Sequence, residues 1–175
     1  GGAVPALMKA LNGKGWGSRG AYMYIMSPWY LYSIDERHLK SFNPKIKLVV
    51  QSFADDDFND PRIAQDIFDL IGIPKNNKDF LMMNSDRAAL CPMVADYSTP
   101  EDTMSEFGEL NALDYYGIFR IADALQGWAF EGDSSGYHSI VPVSGGLVQM
   151  GMKQDSTILY PMVTTDNPRN IIPKQ

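Results

Sequence analysis

The run Lys45–Phe53 (KIKLVVQSF) constrains the fold more than any other stretch of this chain. Its β-branched centre favours strand. Its apolar residues are continuous rather than alternating, which a strand buried on both faces requires. The run passes into ADDDFNDPR, a cluster of acids and turn formers, and then into Ile63–Ile71 (IAQDIFDLI). There Ile63, Ile67, Leu70 and Ile71 share one helical face while Asp66 and Asp69 point away. Pro61 falls near the start of this helix, where proline is tolerated, and Gly72 reads as its cap. Two further apolar runs, Ala21–Met26 (AYMYIM) and Asp79–Met83 (DFLMM), flank the first. Between the first two runs, Asp35–Ser41 reads as a short helix opened by an aspartate cap. The order β–short α–β–α–β predicts adjacent parallel strands joined by right-handed crossovers, an α/β fold.

The flanking segments read differently. Ala3–Leu11 has apolar residues four apart and predicts a helix that begins close to Ala3, with Pro5 in its first turn, and stops at Asn12-Gly13. A glycine-rich loop, GKGWGSRG, comes after it. Beyond an irregular stretch from Asp86 to Asp102, Glu106–Phe130 is the longest helical pattern, interrupted at Gly117. Glu131–Gly146 reads as loop. Leu147–Met152 and Ile158–Val163 are placed to pair as a hairpin across Lys153–Thr157. Residues 1–102 thus form the α/β portion, and residues 103–175 a helical and hairpin extension packed on the same domain. A sheet of three parallel strands leaves faces and edges open, so it looks like a piece of a larger sheet. Another chain, or an N-terminal fragment, is expected to cover that edge.

Composition narrows the function classes. The net charge of −6 and the lack of a basic run argue against nucleic acid and against anionic lipid. No apolar stretch reaches the roughly 18 residues of a membrane span. The single cysteine, Cys91, rules out an internal disulfide and a Cys-x-x-Cys zinc site, and it reads as a small buried hydrophobe. Asp55, Asp56, Asp57 and Asp60 have the chemistry for a hard cation, but they lack the glycine and terminal glutamate of an EF-hand, so no metal or cofactor is expected. The chain opens on Gly1-Gly2 rather than Met, which leaves its compartment unassigned.

In an open parallel sheet, ligands bind beyond the carboxyl ends of the strands, and the aspartate cluster falls at that edge. A strand that ends in an alanine-containing turn, then an acid, a short loop and a helix with an early alanine resembles the acid-bearing loop of the α/β-hydrolase superfamily. The run Asp56-Asp57-Phe58-Asn59-Asp60-Pro61-Arg62-Ile63-Ala64 and the downstream LDYYGIFRIADAL (Leu113–Leu125) resemble a narrower group of bacterial hydrolase-like proteins. Gly1-Gly2-Ala3 before an apolar helix is similar to the residues just after the serine of a Gly-x-Ser-x-Gly elbow; the alternative is a remnant of a purification tag. The resemblance implies the C-terminal half of such a fold, with its serine upstream of Gly1. It implies hydrolysis of an ester or similar small-molecule acyl substrate, with Asp56, or its neighbour Asp55, orienting a histidine. The family places that histidine after the strand DFLMM, where this chain has Asn84-Ser85-Asp86-Arg87. Only His38 and His138 exist. His38, in ERHLK, reads as a surface helix residue. That leaves His138, in a polar loop, as the candidate partner of Asp56. Trp29 and Tyr30, just after the first strand, are candidates for an apolar substrate pocket. The competing reading is a hydrolase-like fold that binds a ligand or partner without catalysis, and the missing histidine after DFLMM favours it.

Overall fold

The computed structural model describes residues 2–11, 14, 16–31, 33–87, 92–101, 110–133, 148–153 and 156–172. His138, Cys91, the Asn12-Gly13 cap and the segment 102–109 lie outside them. Helix α1 (Ala3–Leu11) leads to β1 (Tyr22–Met26), α2 (Glu36–Lys40), β2 (Lys47–Phe53), α3 (Pro61–Leu70) and β3 (Lys78–Met83). The sheet order is β1-β2-β3-β4, where β4 is Val163–Thr165. β1 pairs with β2, and β2 with β3, in parallel, as the alternation of strands and helices requires. β4 adds an antiparallel edge with Leu81 opposite Thr164. The chain is therefore an α/β protein with an open, mostly parallel four-stranded sheet.

Helices of the same chain cover both faces. On one side Leu48, Val50, Phe80, Met23 and Ile25 pack against Leu39, Ala64, Ile67 and Phe68 of α2 and α3. On the other, Val49, Phe53, Leu81 and Met83 pack against the long C-terminal helical run. That double cover is why β2 is buried at every position after Lys47. β4 covers the β3 edge, whereas among the described residues β1 has no strand on its outer side.

The helix ends obey local chemistry. Asp35 caps α2 by accepting from the His38 amide at 3.0 Å, while the Asp35 amide donates to His38 Nδ1 at 3.3 Å. Asp60 caps α3, with Pro61 in the first turn. Gly72 is not a left-handed cap, because Ile71 ends α3 in an extended conformation. Glycine is needed there for close approach: a Cβ on Gly72 would lie 2.3 Å from the Lys40 carbonyl oxygen. The end of α3 is capped instead by buried Lys78, whose Nζ donates to the Phe68 carbonyl at 2.5 Å.

Gly117 breaks the C-terminal helix in a specific way. The short α4 (Ala112–Asp114) runs into a π turn, Tyr115–Phe119, and then into α5 (Arg120–Phe130). The Arg120 amide donates to the Tyr115 carbonyl, five residues back, which marks the inserted residue. The Gly117 carbonyl accepts from Gln51 Nε2 at 3.1 Å and from the Tyr24 hydroxyl at 3.0 Å. Gln51 Oε1 also bonds the Tyr24 hydroxyl. Burial drives the Tyr24 phenol well above its ordinary pKa, so it remains a neutral donor. A π turn thus supplies the acceptor that satisfies two polar side chains inside the core.

The hairpin forms where the described residues show it: Met152 bridges Ile158, and the Met162 amide donates to the Val148 carbonyl at 2.9 Å. Its predicted second arm is corrected at the end, because Val163 leaves the hairpin and pairs with Met82 of the main sheet.

Candidate functional site

The carboxyl ends of β1, β2 and β3 carry Ser27, Asp55–Asp56 and Ser85–Arg87. Ser27 comes directly after β1, and its amide extends the ladder by donating to the Gln51 carbonyl at 2.9 Å. It holds φ at +39°, an uncommon conformation for a residue with a side chain. That turn aims its hydroxyl at β2, where it donates to Asp56 Oδ2.

Asp56 is fully engaged. Its Oδ1 accepts from the Phe58 amide at 3.0 Å and the Asn59 amide at 2.8 Å. Its Oδ2 accepts from Asn59 Nδ2 at 3.0 Å, besides Ser27. Asn59 Nδ2 also reaches Ser27 Oγ at 3.2 Å. This is an aspartate turn, in which a side chain folds the loop between β2 and α3 by satisfying its amides. The space between Ser27, Ser52, Asp56 and Asn59 does not admit a water-sized molecule.

Asp55, the alternative acid, points the other way. Ser85 Oγ donates to its Oδ2, and Arg87 lies 3.1 Å from the same oxygen. The Ser85 hydrogen bond, then Arg87, holds its carboxyl below the usual carboxylate range. Asp60 is held low chiefly by its Arg62 hydrogen bonds. Among the described residues no group of three or more His, Cys, Asp and Glu side chains is arranged to hold a metal ion.

Asp86 occupies the stretch where the resemblance expects a histidine. It is 6% exposed, its Oδ1 lies 2.6 Å from Lys153 Nζ, and its Oδ2 accepts from the Tyr160 amide at 3.2 Å. An ion pair to the hairpin therefore stands after β3. His38 lies on α2, half-exposed and engaged in the cap of its own helix.

Trp29 and Tyr30 are brought together, with ring centroids 5.6 Å apart. They do not stand alone. Trp29 meets Phe58 at 5.4 Å, and Phe58 meets Tyr97 at 5.1 Å, making a row of four rings beside the Asp56 loop. Trp29 and Phe58 are each 57% exposed. Phe58 and Tyr97 were not among the residues expected from sequence. Phe58 had a local signal, an aromatic residue inside an acidic turn, but Tyr97 is joined to it only by the tertiary fold.

No protein-family model, curated protein or solved structure matches the chain.

Proposed function

We propose that this chain is a hydrolase-like α/β domain that binds a small apolar ligand on the aromatic row at the carboxyl edge of its sheet, without using Asp56 in catalysis. The observation that carries this reading is the engagement of both Asp56 oxygens by donors of its own loop and Ser27. A triad aspartate must accept from a histidine N–H, and these bonds would have to open first. Trp29, Tyr30 and Phe58 supply exposed apolar surface next to that loop. A titration with p-nitrophenyl butyrate, monitored by amide chemical shifts and by nitrophenolate release, tests the reading. Saturable shifts around Trp29 and Phe58, lost in Trp29→Ala, with no release above buffer, are expected. Release at enzymic rates that Asp56→Asn abolishes would overturn it.

The second reading is hydrolysis of an ester or similar acyl compound once an upstream half supplies the serine, with Asp56 and His138 as partners. One observation favours it: Asp56 stands at the carboxyl end of the central strand of a parallel sheet, where such folds keep their chemistry. The assay on a longer gene product that carries a Gly-x-Ser-x-Gly sequence upstream of Gly1 separates the two readings.

A further inference from the structure

We infer that the opposite end of the sheet, at the start of β1, holds a second site, which takes a medium-chain carboxylate such as a free fatty acid. A cavity of about 270 Å³ opens there between α1 and the first residues of β1. Met8, Leu11, Trp16, Phe42, Ile46 and Phe130 line it, and among the described residues no charged side chain does. A dry engineered cavity of roughly 150 Å³ in another protein is enough to hold benzene, so this one has room for a longer apolar tail. An ionised group buried within it would go uncompensated.

The wall is built for the purpose. Gly17 and Gly20 hold φ at +78° and +139°, which only glycine adopts without strain. A Cβ on Gly20 would lie 2.0 Å from the Ala129 carbonyl oxygen, so the loop can lie against the end of α5 only with glycine there. Tyr22 and Phe130, stacked edge to face at 5.9 Å, stiffen the back of the cavity. Trp16 is 70% exposed and lines the opening.

The charge around the opening chooses the ligand. A shallow groove continues from the cavity over Trp16, Gly17, Gly20 and Phe130, and it is flanked by Lys14 and Arg19. Both cations are exposed, and among the described residues neither forms an ion pair. In a chain of net charge −6, two cations beside an uncharged apolar cavity are a local reversal. An apolar tail in the cavity would place a terminal carboxylate at the two cations, where it stays hydrated and is attracted. This site lies at the amino ends of the strands and stands independently of the proposed carboxyl-edge site.

The test is a titration with octanoate, octanol and octyltrimethylammonium, read by Trp16 emission and amide shifts. Octanoate is expected to bind at least fivefold tighter than octanol, and the ammonium weakest, with shifts confined to residues 8–22, 42–46 and 130. Lys14→Glu combined with Arg19→Glu should remove the octanoate advantage and leave octanol unchanged. Leu11→Trp, which fills the cavity, should abolish both; Ile46→Phe serves if that variant does not fold. Equal or tighter binding of the ammonium, shifts centred on Trp29 and Phe58, or no saturation with octanoate would overturn the inference. So would anionic phospholipid vesicles that sediment the chain without any octanoate binding, since that result makes the face a membrane surface.

Discussion

The sharpest test of how the carboxyl edge works is to remove the Asp56 carboxylate and ask what is lost. Asp56→Ala deletes the acceptor of two loop amides, at 3.0 and 2.8 Å, and of two side-chain donors. Ser27 and Asn59 keep each other at 3.2 Å, so their loss is partial. The Phe58 and Asn59 amides regain water, because the loop lies at the surface. Each net hydrogen bond is then worth about 0.5–1 kcal/mol, and the loss comes to about 1–2 kcal/mol. In a chain of this length that lowers Tm by about 2–8 °C. Asp56→Asn retains the Oδ1 bonds but sets an amide group against Asn59 Nδ2, so it should cost about half as much. Urea unfolding monitored by far-UV circular dichroism, with m unchanged, measures both variants. A cost in Asp56→Ala within about 0.3 kcal/mol of zero would refute the loop-folding role. An unchanged Asp56→Asn stability with an ester turnover that collapses would assign the carboxylate to catalysis instead.

Neighbouring contacts carry their own expected outcomes. Ser85→Ala removes the leading cause of the low Asp55 pKa, so the Asp55 carboxyl carbon should titrate at higher pH by NMR; an unmoved midpoint would contradict the contact. Since the folded pKa is depressed, the stability this bond adds is present above the unfolded-state pKa and fades as pH falls through the folded value; Ser85→Ala should therefore flatten the acid limb of the stability curve. Lys153→Met leaves Asp86, 6% exposed, without its cation and should cost about 3 kcal/mol or more, whereas Asp86→Leu with Lys153→Met should recover most of that loss. A double variant as unstable as the single would show that the pair is not the cause. Gly20→Ala combines a forbidden φ with a 2.0 Å approach to a backbone oxygen and should cost about 1–3 kcal/mol in urea; a neutral result would contradict the packing of the 16–20 loop on α5.

The elements that local chemistry specifies are legible in the sequence. The bounds of α1, the Asp35 cap and the irregularity at Gly117 depend on residues within one or two turns of each other, and each of the three parallel strands is a local apolar run whose pairing follows from the helices between them. β4 escaped notice because Val163–Thr165 has three residues and no periodicity; its partner Phe80–Met82 lies some eighty residues earlier, and pairing is decided there rather than in VTT. Gly72 misled for a different reason. Glycine after a helix suggests a left-handed cap, but here the missing Cβ makes room for the Lys40 carbonyl, a tertiary demand. At the candidate site, the position of Asp56 at the strand end was legible. Its donors were not, because Ser27 reaches it through a positive φ that no sequence pattern announces.

Each strand end at this edge gives its polar chemistry to a neighbour: Ser27 to Asp56, Ser85 and Arg87 to Asp55, and Lys153 to Asp86. The exposed apolar surface among the residues described there is aromatic, and its area bounds what it can hold. Trp29 and Phe58 at 57% exposure and Tyr30 at 45% together offer roughly 300 Å² of ring surface. At about 25 cal/mol per Å² full cover is worth about 8 kcal/mol. A small flat ligand lies on one side of such a row and covers about half of it, which gives at most about 4 kcal/mol and a Kd no tighter than about 1 mM. Binding much tighter than that requires a second wall above the rings. A micromolar ligand would therefore mean that residues beyond this row, from this chain or another, close over Trp29 and Phe58, and protection of Trp29 from an aqueous quencher in the bound state is the measurement that detects it.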